Sequence, residues 1–462
     1  MSNISHTGSR QKSKTSQKKA EPPSKRLPSK RVDYTDDVPE GDPEQDIILY
    51  LGEILPEQIE AVKKLKKATG QKYRVGLLTD TKTQISKDVE KKLDLLLRTN
   101  FQRFHKVENL LMPYQKQIAA IMNRMEYAMP LYARIIPMFP YLLNPTPNSI
   151  RIANDKIKMR KTLKKHVPEA IPAFTIVNDL KEKTLKHIEE DIGFPCVIKP
   201  ASLYQSKLVA VCYYRQELEE TLKETFQKIK SLYRVAKIEH EPRILVEQLM
   251  EGAMYSIDGY VNHRGKITFT PMIEIKTGRD IGFDDFFMYS QITPTALDAQ
   301  EVADAQEVAA KAIYAFGIRA CSAHVELYKT KTGWKIVEIG SRVGGFRYEL
   351  LNYAHGINHH LNDILIRLNH SPSIKPTKKK HAILLKFWPR DTGTLKSVLG
   401  YKKISEERFV VQCEQLQKPG DKISPAKYGG PPTVLLYLVA PSRTKLLGYI
   451  RKVEKAVDII IE

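Results

Sequence analysis

Cysteine is scarce in this chain: Cys196, Cys212, Cys321 and Cys413 are the only four in 462 residues, and they form no CxxC pair. That spacing excludes a disulfide-dense scaffold and a thiolate metal site, and it suits a reducing compartment. Long apolar runs are missing too. The longest apolar stretch, residues 129–143, is broken by Arg134, Pro137 and Pro140 and falls short of the ~20 apolar residues that span a bilayer. No transmembrane helix is predicted. No GxGxxG follows the first strand pattern and no GxxxxGK(S/T) occurs, which argues against a dinucleotide fingerprint or a Walker loop. Residues 1–31 hold almost no large apolar side chains and no apolar h-region, so they read as neither a core element nor a secretory signal.

What the tail does hold is charge. Nine basic residues face Glu21 alone, a net +8 within a chain whose overall charge is +21. Residues 1–45 are therefore expected to be a disordered basic tail and an acidic linker. The run from Lys25 to Arg31 would suit a nuclear address, an import presequence or a polyanion contact, and a solvated tail without any address is favoured. Beyond it the composition is ordinary for a globular chain, 42% hydrophobic and 27% charged, and the length allows two to four domains at ~100–200 residues each.

The apolar run at 47–51, helical spacing of Ile59, Val62 and Leu65 before Gly70, and a second run at 75–78 make a βαβ unit with a parallel sheet. From about residue 150 the pattern changes. Asp155 and Lys156 open a basic helix, and Phe194-Pro195-Cys196-Val197-Ile198-Lys199 is an apolar strand that ends on a lysine. Such a lysine is suited to a ligand phosphate as a point charge, although alone it is more often a surface residue. A further strand, residues 244–249, offers backbone groups for the edge of an adenine, with Glu247 or Glu251 near the sugar.

Two strands then carry glutamates, residues 323–328 and 334–339. A three-residue hairpin loop at 331–333, glycine last, pairs 326 with 338 and faces Glu326 to Glu338. A two-residue loop would shift the register by one and put the carboxylates on opposite faces. In the favoured aligned register, like charges ~5 Å apart destabilise the sheet unless a cation neutralises them, and Mg²⁺ takes a carboxylate pair plus substrate phosphates. Gly340-Ser341-Arg342-Val343-Gly344-Gly345 follows at once, a glycine turn with backbone amides and an arginine suited to an oxyanion.

The ordered set Asp155-Lys156, Val197-Ile198-Lys199-Pro200, Val246-Glu247-Gln248 with Glu251-Gly252, His324-Val325-Glu326 and Val337-Glu338-Ile339-Gly340-Ser341-Arg342 resembles the ATP-grasp superfamily. The likeness is strongest to its carboxylate–amine ligases of amino acids, such as L-amino acid ligases and carnosine synthase. It implies an α/β and α+β multidomain chain: a Rossmann-like pre-ATP-grasp domain at 46–150, a two-lobed ATP-grasp domain at 151–370 and a C-terminal α+β lobe at 371–462. It implies ATP with Mg²⁺ (or Mn²⁺), held by Glu326 and Glu338. Lys156 and Lys199 would contact the ATP phosphates, and Glu247, Gln248 and Leu249 would border the adenine. Arg342, with Lys199, would be catalytic, stabilising the transferring phosphoryl group. The implied activity is an ADP-forming ligase that makes an amide or peptide bond through an acyl phosphate. Its partners would be a small carboxylate and an amine, both amino acids, in a cytoplasmic setting, with a homodimer allowed. The sequence departs from the pattern in a glycine-poor loop at 201–207, in Met254 and Gly340, and in Met288 and Gln291 near the expected substrate. A biotin-carboxylase-like carboxylase and a catalytically inactive nucleotide- or polyanion-binding protein are the alternatives.

Overall fold

A computed structural model describes residues 45–203, 208–235, 241–283 and 285–462. The basic tail and nearly all of the acidic linker, as well as part of the glycine-poor loop, lie outside the described residues. Residues 43–462 form one compact unit.

The first layer is a four-stranded parallel sheet in the order Leu95–Thr99, Arg74–Asp80, Ile47–Leu51, Ile118–Met122. Its central strand is buried along its whole length, which is why it reads as a continuous apolar run. The helix Pro56–Thr69 buries Ile59, Val62 and Leu65 against the sheet and stops at Gly70, whose φ of +82° closes the helix C-terminus.

The second layer is a four-stranded antiparallel sheet in the order Phe174–Val177, Ile244–Gln248, Cys196–Pro200, Ala210–Cys212. The long helix Arg215–Val235 covers it, burying Leu218, Leu222 and Ile229 with Cys196 and Ile198. Ahead of this layer runs the helix Lys156–His166, capped by Asp155, which accepts from the amides of Ile157 (3.0 Å) and Lys158 (3.1 Å).

The third layer is a nine-stranded sheet. Its main path runs Gly333–Gly340, Cys321–Thr330, Ala253–Val261, Ile273–Thr277, Met288–Thr293, His381–Phe387, Val434–Ala440, Val410–Gln415, all antiparallel. Hydrogen bonding is continuous across residue 371, because His381–Phe387 pairs with Met288–Thr293. One face packs on the helix Ala299–Ala315 through Val325, Leu327, Trp334 and Ile336. The other face carries most of the polar groups described next. The helix His359–Arg367 links this sheet to the first layer, packing Ile364 and Leu365 with Ile48 and Tyr50.

Candidate functional site

Glu326 and Glu338 face each other across the hairpin, but the route differs from the one expected. Thr330 pairs with Gly333, so the loop has two residues, Lys331 and Thr332, and the ladder begins one residue out of step. A bulge then inserts Val337 opposite the junction of Glu326 and Leu327, and the pair 326–338 is restored. The bulge is readable in the burial phase. Trp334 and Ile336 are buried at even positions and Ile339 at an odd one, and strict alternation cannot bury all three.

Around the carboxylates stand two cations. Lys156 lies 3.6 Å from Glu338 and donates to the carbonyl of Leu203 at 2.8 Å. Arg342 is paired with Glu126, contributed by the first layer. Burial works against the Arg342 charge, yet Glu126, Glu338 and Glu326 together raise its pKa. Lys156, Glu338, Arg342 and Glu126 line a single cavity of about 30 Å³, roughly the share of one liquid water.

Lys199 sits apart from that group. Its ammonium is 2.6 Å from Glu247 Oε2, and Arg160 makes a two-pronged contact with the same carboxylate. Glu247 is 1% exposed, so its side chain, expected beside an adenine, is instead enclosed by two cations. Burial alone would raise the Glu247 carboxyl, but Arg160 and Lys199 hold it at about 2. The second prong of Arg160 also donates to the carbonyl of Val337 at 2.9 Å, satisfying the backbone group that the bulge takes out of the ladder. Gln248 is exposed. The amides of Gln248 and Leu249 donate to the carbonyls of Ala173 (2.9 Å) and Pro195 (3.1 Å).

A buried network lies directly behind the carboxylate pair. Asp258 accepts from His324 Nδ1 at 2.6 Å, from His359 Nε2 at 2.8 Å and from the amide of Gly344 at 2.8 Å. A carboxylate only accepts, so both imidazoles present N–H groups to it. Tyr260 is 2.6 Å from the far nitrogen of His359. His324 reaches Glu326 with its other nitrogen at 3.3 Å. Burial opposes charge on both partners, yet the Asp258 carboxyl is held well below its ordinary range and His324 is raised, each by the other. One amide of the expected anion nest, that of Gly344, is therefore already bonded within the protein. Glycine is required there because a Cβ at 344 would meet His324 Nδ1 at 2.5 Å.

Sequence reading missed Arg160, Glu126, Asp258, His359 and Arg347. Their partners are far off in the chain: Arg160 and Glu247 are 87 residues apart, Arg342 and Glu126 216. For Asp258 there was a signal, since a charged residue inside the apolar pattern of 255–261 must be paired if buried.

A family model described as ATP-grasp domain matches residues 192–349. The chain is 26% identical over 175 residues to D-alanine–D-alanine ligase of Bacillus velezensis, covering 34% of this chain and 44% of that protein. It is 26% identical over 211 residues to alanine–anticapsin ligase of Bacillus subtilis, covering 42% of each. It thus spans less than half the length of these curated relatives. Among solved structures, L-amino acid ligase from Bacillus licheniformis superposes with a TM-score of 0.74 at 17% identity, covering 91% of this chain and 99% of that one.

Proposed function

From the premise that this chain carries an ATP-grasp domain, we propose that it is an ATP-dependent carboxylate–amine ligase that releases ADP and phosphate. The observation that carries the reading is the pairing of Glu326 with Glu338, with Glu338, Lys156 and Arg342 lining one cavity. Two carboxylates without a third acidic, His or Cys ligand among the described residues suit a hard cation that completes its shell with phosphate oxygens and water. Mg²⁺ held there would neutralise polyphosphate charge.

The residues of the chain then have separate tasks. Lys156 and Lys199 supply positive charge to the phosphates. Glu247 acts through Lys199 and not by touching the nucleotide. Arg342 lies where charge develops as a carboxylate oxygen of the substrate attacks the γ-phosphorus and the bond to ADP breaks. The amine next attacks the acyl carbon, the carbon–oxygen bond to phosphate breaks, and the amine loses a proton to solvent. His324 orients Glu326, and Asp258 orients His324 and the Gly344 turn together. Ligand pockets are ~300 Å³ or more, so the cavity of about 30 Å³ is not by itself the nucleotide site; exclusion of water would protect the acyl phosphate from hydrolysis.

The test is to supply ATP, Mg²⁺, each of the twenty L-amino acids and hydroxylamine. The expected products are ADP and a hydroxamate. AMP with pyrophosphate would overturn the reading, and so would the absence of acid-dependent ADP across the panel.

A further inference from the structure

Cys196 and Cys212 stand directly opposite each other in the second layer, where Cys196–Pro200 pairs with the strand Ala210–Cys212. Directly opposed residues of an antiparallel pair have Cα atoms ~4.5–5.5 Å apart, inside the ~4.4–6.8 Å that a disulfide joins. Both side chains pack with Leu218 and Leu222 under the helix Arg215–Val235, and both are buried. The two thiols are free and hydrogen-bonded to each other. Cys321 and Cys413 have no such relation: they lie on strands of the nine-stranded sheet that are not neighbours.

The pair is polarised. The hydrogen bond between the thiols raises Cys196, with burial adding to it, and lowers Cys212, where Thr221 adds to the lowering and burial opposes it. Cys212 is therefore the sulfur better able to act as a thiolate nucleophile. Its strand is three residues long, lies at the edge of its sheet and runs into the exposed Tyr213 and Tyr214. A short strand paired on one side opens locally more readily than a central one, which gives a small oxidant its access. Between the two cysteines the chain carries Lys199 and the glycine-poor loop. The Ala201 carbonyl accepts from the Lys156 amide at 3.0 Å, and the Leu203 carbonyl accepts from the Lys156 ammonium at 2.8 Å.

We propose that Cys196 and Cys212 are a modification site at which a hydroperoxide forms a reversible intrachain disulfide, and that this disulfide weakens ATP binding by restraining the hairpin between them. The Cys212 thiolate attacks one peroxide oxygen, the O–O bond breaks, and the leaving oxygen takes up the proton that the thiol released. Cys212 is then a sulfenic acid. The Cys196 sulfur attacks the Cys212 sulfur, the S–O bond breaks, and water leaves with the Cys196 proton. The thiols give up two electrons and the peroxide is reduced. The disulfide does not depend on the ligase reading. Its effect on ATP rests on the phosphate contacts proposed for Lys156 and Lys199: turning both ammonium groups to a polyphosphate moves residues 199–203, and a crosslink three residues before Lys199 opposes that movement.

The experiment adds hydrogen peroxide to the reduced full chain, quenches it, counts thiols after denaturation and digests the chain without reductant. The count should fall from four to two, one linked peptide should join Cys196 to Cys212, and dithiothreitol should restore all four thiols. Calorimetry on the same preparations should give a Kd for ATP about 5-fold or more weaker in the oxidised chain, recovered on reduction. Cys212→Ser should yield no linked peptide and keep its Kd through peroxide treatment, while a double variant, Cys321→Ser with Cys413→Ser, should respond as the wild type does. The linked peptide is read in the wild-type chain, so it stands even where a serine variant fails to fold. Persistence of both thiols while the half-buried Cys413 oxidises overturns the inference, and so does an oxidised chain that binds ATP as tightly as the reduced one. If neither form binds ATP, the phosphate contacts of Lys156 and Lys199 fall and the effect on ATP falls with them, while the peptide map alone decides the disulfide.

Discussion

Glu338 is opposed by Glu326 and approached by Lys156 at 3.6 Å. Glu338→Gln removes a repulsion and an attraction of similar size, so stability should shift by less than about 1 kcal/mol, whereas ADP formation should fall by a factor of about 100 or more. Thermal melting and an ADP assay on one preparation check both; unchanged ADP release would remove the carboxylate pair from the site. Lys199→Ala should raise the KM for ATP about tenfold or more, and the exposed Lys379→Ala should leave it within twofold. Equal effects would mean general electrostatics. Glu247 gives a pH dependence of definite sign. Its folded pKa, about 2, is depressed from an ordinary value near 4.5, so its contribution to stability is present above pH ~4.5 and is lost as pH falls toward 2. Acid unfolding compared between the wild-type chain and Glu247→Gln should show a steeper loss in the wild type over that window.

At the scale of elements, legibility followed sequence distance. The cap at Asp155, the stop at Gly70 and the buried strand Ile47–Leu51 rest on residues within a few positions of one another, and all can be read directly. The hairpin rests on two local features at once, and only one was weighed. Its loop is shorter than expected, yet Glu326 still meets Glu338, because the bulge at Val337 cancels the slip. The phase change from Ile336 to Ile339 carried that information. Deleting Val337 should therefore leave a regular ladder in which Glu338 follows Ile336 and still faces Glu326, at the cost of the carbonyl that Arg160 holds; a variant that keeps its melting temperature but loses all ADP release would contradict this account of the register. The pairs Arg160–Glu247 and Arg342–Glu126 could not be read, since a charge pair joining distant segments leaves no periodicity in either segment.

For the whole molecule, composition and motif order pointed to the right class of fold, a mixed α/β chain opening on a parallel sheet; the glutamate strands lie on the larger, nine-stranded antiparallel sheet. The continuity of that larger sheet across residue 371 was not legible, because strand order is fixed by tertiary pairing and not by local pattern. The basic tail has too few apolar residues to contribute a core, so a chain beginning at Pro43 should keep its melting temperature and its turnover of small substrates. Differential scanning fluorimetry beside the ADP assay measures both, and a large loss of turnover would assign the tail to the site.

Among the described residues, Arg160 is the one side chain that touches Glu247 in the second layer and the Val337 carbonyl on the nine-stranded sheet. Glu247 in turn is shared with Lys199. A phosphate that draws Lys199 away leaves Arg160 as the sole counter-charge of a buried carboxylate, and the guanidinium must then divide itself differently between Glu247 and the bulge that aligns Glu338. Occupancy at Lys199 and the alignment of the carboxylate pair are thus thermodynamically linked. The linkage has a measurable form: the effects of Lys199→Ala and Glu338→Gln on ATP affinity should be non-additive, and Arg160→Met should make them independent.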